Sequence, residues 1–239
     1  MKSRLGVNVD HIATLRNARG EGHPDPISYA RQVMNFGANS ITIHLREDRR
    51  HIRDEDVAIF SKIKRIPINL EMAANNEMLK IALKYKPNFV CIVPEKRNEI
   101  TTEGGLNITK NKKIIKKVIS KLNSKKIRTS LFINPNIKDV FASKELNAKC
   151  VELHTGKFAL KVKNNKNYLV EFKKIKNCAV LAKKLGMEVH AGHGLDYKST
   201  KILRKIKSIE EFNIGHFIIG EAIMFGMKKV ITNFRKILN

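Results

Sequence analysis

Short β-branched runs alternate with longer segments of helical periodicity from one end of the chain to the other. The spacing predicts strands over residues 4–11, 40–45, 67–72, 88–93, 127–133, 150–154, 187–191 and 216–219. Between them it predicts amphipathic helices over 26–36, 55–64, 76–84, 108–122, 136–145, 168–185, 198–206 and 221–237. Gly37 follows the first of these helices and Gly186 the sixth, where a left-handed residue ends a helix before the next strand. Pro135-Asn136 opens the fifth. Nothing in the pattern marks an antiparallel hairpin, so the strands read as parallel, and a count of eight argues for closure. A doubly wound open sheet is the alternative, but it needs fewer strands or a second domain. No linker or composition shift marks one. The expected fold is therefore a single α/β domain over 1–239, a (β/α)8 TIM barrel.

One connection stands apart. Residues 94–107, PEKRNEITTEGGLN, form a long polar segment ending in a Gly-Gly pair, which is the composition of a lid as well as of a plain surface loop.

Composition narrows the class. Hydrophobic residues make up 42 % of the chain, which suits a globular core, and with no Trp that core must be built from Ile, Leu and Val. Cys91, Cys150 and Cys178 have no zinc-pair spacing, and Cys91 and Cys150 lie inside apolar runs as small buried hydrophobes do. No apolar run has the length of a signal peptide or a membrane span, so a soluble cytoplasmic protein is expected. The charge of +25 admits a nucleic-acid binder. Against that, the lysines lie on helical, solvated faces, as over 108–126, and no basic strand carries the interleaved aromatics that stack bases. The excess charge also suits the attraction of anionic substrates.

Candidate chemistry gathers where a barrel keeps its site, at the C-terminal ends of strands. The first strand ends in Asn8-Val9-Asp10-His11, the second in His44-Leu45-Arg46 and the third in Glu71-Met72. The sixth ends in Glu152-Leu153-His154, the seventh in His190-Ala191-Gly192-His193-Gly194, and the eighth begins beside Gly215-His216. A lone strand histidine is ordinarily a hydrogen-bonded core residue, and Asp10 alone could cap a turn. Convergence from six strands is what points to a site. Histidine with glutamate suits proton shuttling. Arg16, Arg19, Arg46, Arg49 and Arg50 offer guanidinium forks for phosphate or carboxylate. Gly192, Gly194, Gly215 and Gly220 would let backbone N–H groups approach an anion. Together these features indicate proton-transfer chemistry on phosphorylated substrates. A metal-dependent barrel hydrolase is the rival, with His44, His154, His190, His193 and Glu71 as conceivable ligands, although the first strand carries D-H rather than H-x-H.

At the same residues the chain resembles the pyridoxine 5′-phosphate synthase family. The matching stretches are VNVDHIATLRNARG at 7–20, ITIHLREDRRHI at 41–52, NLEMA at 69–73 and VPEKRNEITTEGGL at 93–106. They continue with ELHTG at 152–156, AGHGL at 191–195 and NIGH at 213–216, in order over nearly the whole chain. The resemblance implies a barrel that assembles into homo-octamers and needs no metal or organic cofactor. It implies joining of 3-amino-2-oxopropyl phosphate to 1-deoxy-D-xylulose 5-phosphate, with release of phosphate and water. It also implies His44 and Glu71 as proton acceptors and His193 as a proton donor. Asn8, Arg19, Gly194, Gly215 and His216 would contact the aminooxopropyl phosphate. Asp10, His11, Arg46, His51 and Thr101 would contact the deoxyxylulose phosphate. The chain departs from the pattern at His190, where Asn is expected, and at Glu221, where a basic residue is more usual. An inward-pointing Glu221 carboxylate would repel a phosphate.

Overall fold

The computed structural model describes residues 2–95 and 104–239. Eight parallel strands close into a barrel in sequence order. They are β1 (Arg4–Asn8), β2 (Ser40–His44), β3 (Ile68–Met72), β4 (Phe89–Ile92), β5 (Arg128–Ile133), β6 (Cys150–His154), β7 (Glu188–Gly192) and β8 (Glu211–Ile214). The helices around them are α1 (Asp10–Arg19), α2 (Pro26–Asn35), α3 (Asp54–Phe60), α4 (Asn76–Tyr85), α5 (Ile108–Ser124) and α6 (Ile137–Glu145). They continue with α7 (Gly156–Lys163), α8 (Leu169–Lys184), α9 (Tyr197–Leu203), α10 (His216–Phe225) and α11 (Met227–Leu238).

The expected (β/α)8 barrel is therefore present, with three local corrections. The eighth strand is EFNI at Glu211–Ile214, and the apolar run 216–219 belongs to α10. A short apolar run cannot be divided between strand and helix by periodicity alone. The first strand stops at Asn8, whose Oδ1 accepts the backbone N–H of Asp10 at 2.8 Å and turns the chain directly into α1. Helices α1 and α7 are elements that the sequence pattern does not predict. Gly37 and Gly186 do take left-handed φ values of 108° and 75° after their helices, and Asn136 caps α6 by accepting from the N–H of Lys138.

The strands sort their side chains with period 2. Leu5, Val7, Ile41, Ile43, Leu70, Val90, Leu131, Val151, Leu153, Val189 and Phe212 are fully buried in the apolar layer, which also takes in helix residues such as Val230, Ile231 and Phe234 of α11. The alternate positions are polar and meet across the barrel between strands that are not neighbours. Ser40 on β2 donates to Glu211 on β8, Arg128 on β5 pairs with Glu188 on β7, and Cys91 on β4 lies 3.9 Å from Glu152 on β6. Such contacts place these groups inside the barrel. Its interior is thus an ionic, hydrogen-bonded core in place of the branched apolar layers usual for the fold.

At the N-terminal end of that interior, Arg4 pairs with Glu188 and with Glu211 at 2.7 Å. His190 joins them, with Nε2 3.0 Å from Glu188 and Nδ1 3.6 Å from Glu211. Burial disfavours a charged His190, but neighbouring Cys150, Glu211 and Glu188 outweigh it and push its pKa well above 6.5. This places His190 in a structural ion network below the mouth of the barrel, away from the C-terminal site to which its sequence position assigned it.

Candidate active site

At the mouth of the barrel the turn from β1 into α1 delivers two side chains. Asp10 is buried, and each of its carboxylate oxygens accepts a hydrogen bond: Oδ1 from the backbone N–H of His44 and Oδ2 from the side-chain amide of Asn8, both at 2.8 Å. His44, the last residue of β2, is held between two carboxylates. Its Nδ1 lies 3.8 Å from Glu71 Oε2 and its Nε2 3.2 Å from Glu95 Oε1. Register pairs His44 directly with Glu71, so the neighbouring strands themselves set this contact. Burial drives the pKa of Glu71 well above 4.5, and the charges of Glu152 and Asp10 drive it further. Glu152, deeper in the barrel, is raised chiefly by burial although Asn213 Nδ2 donates to it at 2.7 Å. The polar column below His44 therefore favours a retained proton.

Histidines line the rest of this side. His11 meets His216 edge-on at 5.1 Å and His51 at 5.8 Å. His51 Nδ1 lies 2.7 Å from the Thr14 hydroxyl, which donates to the Asp10 carbonyl. Burial and the charge of His11 lower the His51 pKa to about 4, so its ring is neutral near pH 7. His11 is lowered too, by burial first and by His216. Gly215 sits so close to Asn8 that a Cβ there would come 2.8 Å from Asn8 Cβ, so the end of β8 and the end of β1 share one surface.

A second group sits over β5, β6 and β7. His154 and His193 stack at 4.8 Å with Phe132 against both. Burial lowers His154 to about 4, and it lowers His193 as well. His193 takes φ 79°, a left-handed conformation uncommon for a residue with a side chain, and Gly194 follows at 76°. The Thr155 hydroxyl lies 2.8 and 2.7 Å from the carbonyl oxygens of Gly192 and His193 and pins this turn.

The arginines divide. Arg16 makes a two-pronged buried pair with Asp56 at 2.6 and 2.8 Å, tying α1 to α3. Arg49 pairs with Asp54 and Glu77, and Arg50 with Asp48. These three are occupied in holding loops together. Arg46 keeps a buried Nε without a hydrogen-bond partner, with Asp48 Oδ1 3.5 Å away, which leaves it a donor for an anion. Arg19 ends α1 with a side chain 75 % exposed, paired with Glu21 and not with the other candidates. Gly220 lies in the interior of α10, exposed, and forms no part of an anion loop. Glu221 is also in α10, and its charge acts on Tyr197. Thr101 and most of the 94–107 segment lie outside the described residues. The C-terminal end of that segment is anchored: the Gly105 N–H donates to Asn134 Oδ1 at 3.0 Å and the Leu106 N–H to the Phe132 carbonyl at 2.9 Å.

One ligand atom each from Asp10, His44 and Glu71 comes within 4.8 Å of the others, the grouping among the described residues that could hold a cation. A cation there would draw on an Asp10 oxygen that already accepts a hydrogen bond. Sequence reasoning missed Glu95, which stands unmarked within a loop motif. It also missed the Arg4–Glu188–Glu211 cluster.

The family model described as pyridoxal phosphate biosynthesis protein PdxJ matches residues 5–239. The chain belongs to this family. A Pelagibacter ubique PdxJ relative named pyridoxine 5′-phosphate synthase is 64 % identical over 236 residues, covering 99 % of each chain. A Zymomonas mobilis protein of the same name is 50 % identical, with 99 % of this chain and 91 % of the relative covered. Solved structures add the fold alone. The tryptophan synthase A-subunit from Pyrococcus furiosus aligns with TM-score 0.62 at 14 % identity, over 100 % of this chain and 99 % of that one. Phosphoribosyl anthranilate isomerase from Thermococcus kodakaraensis gives 0.62 at 10 % identity, over 99 % of both. The PdxJ match begins at the second residue of β1 and runs through α11, so it spans every strand of the barrel.

Proposed function

We propose that this chain is a pyridoxine 5′-phosphate synthase, joining 3-amino-2-oxopropyl phosphate to 1-deoxy-D-xylulose 5-phosphate with loss of phosphate and water. The observation that carries the assignment is the His44–Glu71 pair at the barrel mouth, in a chain that matches the PdxJ family from end to end. Imine formation, dehydration, phosphate loss and ring closure each move protons at neighbouring atoms, and a few fixed acid/base groups can serve them in turn.

In this reading His44 and Glu71 accept protons and His193 donates one. Asn8, Arg19, Gly194, Gly215 and His216 hold the aminooxopropyl phosphate. The contact of Gly215 with Asn8 supports that grouping, whereas the part given to Arg19 rests on family resemblance. Asp10, His11, Arg46, His51 and Thr101 hold the deoxyxylulose phosphate, for which the Arg46 Nε, without a hydrogen-bond partner, is a ready donor. The 94–107 segment closes over the reactants and keeps water from the imine and enol intermediates.

The reaction asks for no metal or organic cofactor. The protein works in the cytoplasm as a homo-octamer; none of the described helices is long and apolar enough to cross a membrane. Ile223, Met224 and Phe225, 62–76 % exposed at the end of α10, are the kind of surface that a subunit contact covers.

Complementation tests the assignment. A bacterium lacking the ring-closing step of vitamin B6 synthesis should grow without added pyridoxine when it carries this chain, and should not grow with His44→Ala. Growth with neither, given folded protein in the cell, contradicts it. His193→Asn tests the donor, because Asn tolerates the left-handed backbone while removing the imidazole. Full turnover in that variant contradicts the donor role.

A further inference from the structure

We propose that Glu95 is the positioning residue of His44, holding its ring in the orientation and tautomer in which Nε2 carries the proton and Nδ1 is open toward Glu71. The proposal rests on the assignment of His44 as a proton acceptor and deepens it.

The geometry comes first. The Glu95 side chain is 4 % exposed, and both of its oxygens are used at the mouth of the barrel. Oε1 lies 3.2 Å from His44 Nε2, and Oε2 accepts the backbone N–H of Glu47 at 2.8 Å. A carboxylate anchored at one oxygen by a main-chain donor has little freedom left at the other. It therefore fixes the imidazole plane, which Asp10 already locates from behind by taking the His44 backbone N–H.

Proton placement follows from the acceptor. Burial pushes the Glu95 pKa up, but hydrogen bonds from His44 and from the Glu47 N–H, with the charges of His44 and Arg46, outweigh it and leave Glu95 below 4.5. An ionised carboxylate only accepts hydrogen bonds. A neutral His44 must then place its proton on Nε2 to satisfy the contact. Its Nδ1 lone pair is left facing Glu71 Oε2 at 3.8 Å. Two lone pairs would repel there if Glu71 were ionised, and burial of Glu71 favours its protonated form.

The groups that bear on His44 are therefore Asp10, Glu71, Glu95 and His51, with Arg46 acting on Glu95 and His51. Among them Glu95 alone accepts from Nε2. A proton taken up at Nδ1 makes an imidazolium whose Nε2–H faces the ionised Glu95, and Glu95 stabilises that charged form without touching substrate.

The test uses the full-length protein labelled with 15N-histidine, comparing wild type with Glu95→Ala and Glu95→Gln. Long-range 1H–15N spectra read the His44 tautomer directly, without substrate. The wild type should show the proton on Nε2, and Glu95→Ala should lose that tautomer. Its kcat should fall at least about tenfold, with both KM values changed less than about threefold. Glu95→Gln should retain more turnover: its carbonyl can accept from Nε2, although its amide then meets the Glu47 N–H donor to donor. Glu95→Leu, which keeps the bulk but accepts no hydrogen bond, serves if Glu95→Ala fails to fold, with the same loss of the tautomer expected.

An unchanged His44 tautomer in folded Glu95→Ala overturns the proposal, as does unchanged kcat in that variant beside an active wild type. If no form makes product, the synthase assignment fails separately, and the tautomer still decides whether Glu95 positions His44.

Discussion

Asp10 Oδ1 accepts the backbone N–H of His44 at 2.8 Å, so a residue at the start of α1 fixes the last residue of β2. The other oxygen takes the Asn8 amide, and Asn8 Oδ1 in return takes the Asp10 N–H. Every polar atom in this small circuit has one assigned partner, and the arrangement leaves no freedom to turn an amide. The site is therefore built on main-chain ties before any substrate arrives.

Asp10→Asn should break the circuit. The new amide either faces the Asn8 amide donor to donor or turns its NH2 toward the His44 N–H. The cost expected for such a mismatch is about 1–3 kcal/mol. Thermal unfolding should show a drop of several degrees, and turnover should fall with it. An unchanged melting temperature would show that the circuit contributes nothing.

Acid should weaken the fold through its neutral histidines. His154 is held at about 4, against 6.5 for an ordinary histidine. Between those values the unfolded chain binds a proton that the folded chain refuses. The stabilising contribution is full above pH 6.5 and is lost as pH falls toward 4. Glu71 and Asp10, whose pKa values are raised, act in the opposite direction, so a difference measurement is needed. The gap in unfolding free energy between wild type and His154→Gln should grow in favour of wild type from pH 4 to 6.5 and then level off. A flat difference across that window would contradict the buried, neutral ring.

Two glycines should respond oppositely to the same substitution. A Cβ on Gly192 would come 2.2 Å from Glu152 Oε1, and that carboxylate is held by Asn213. Gly192→Ala should cost about 1–3 kcal/mol through overpacking. A methyl group on Gly220, within α10, would meet nothing within 4 Å. Gly220→Ala should stabilise by about 0.5–1 kcal/mol, as glycine is a poor helix residue. Denaturant midpoints for both variants check the pair, and a loss at Gly220 would show that the glycine serves a purpose beyond the helix.

Much of this is written in the strands themselves. SITIH, INLEM, CVELH and EVHAG alternate polar with apolar residues, whereas buried parallel strands ordinarily read as continuous apolar runs. That alternation is the sequence trace of the polar barrel interior. The pattern places seven strands within a few residues, and His44 with Glu71 stands out as a pair of ionisable residues at strand ends. What cannot be read is which partner each charge will find. Arg16 and Arg46 look alike in sequence, but 40 residues separate Arg16 from the Asp56 that occupies it, while Arg46 Nε is left without a hydrogen bond. His190 follows a strand pattern identical to its neighbours, and only closure of the barrel carries it to Arg4, Glu188 and Glu211. Glu95 contacts His44 across 51 positions from within a polar loop, where no periodicity marks it.

The most direct test of the central claim is synthesis by the purified protein. It should be supplied with 3-amino-2-oxopropyl phosphate and 1-deoxy-D-xylulose 5-phosphate in the presence of a chelator, with pyridoxine 5′-phosphate followed by ring absorbance and mass. Product that needs both substrates, survives the chelator and vanishes in His44→Ala is the predicted result. Folded, assembled protein that yields no product, or yields it only with added metal, would contradict the account.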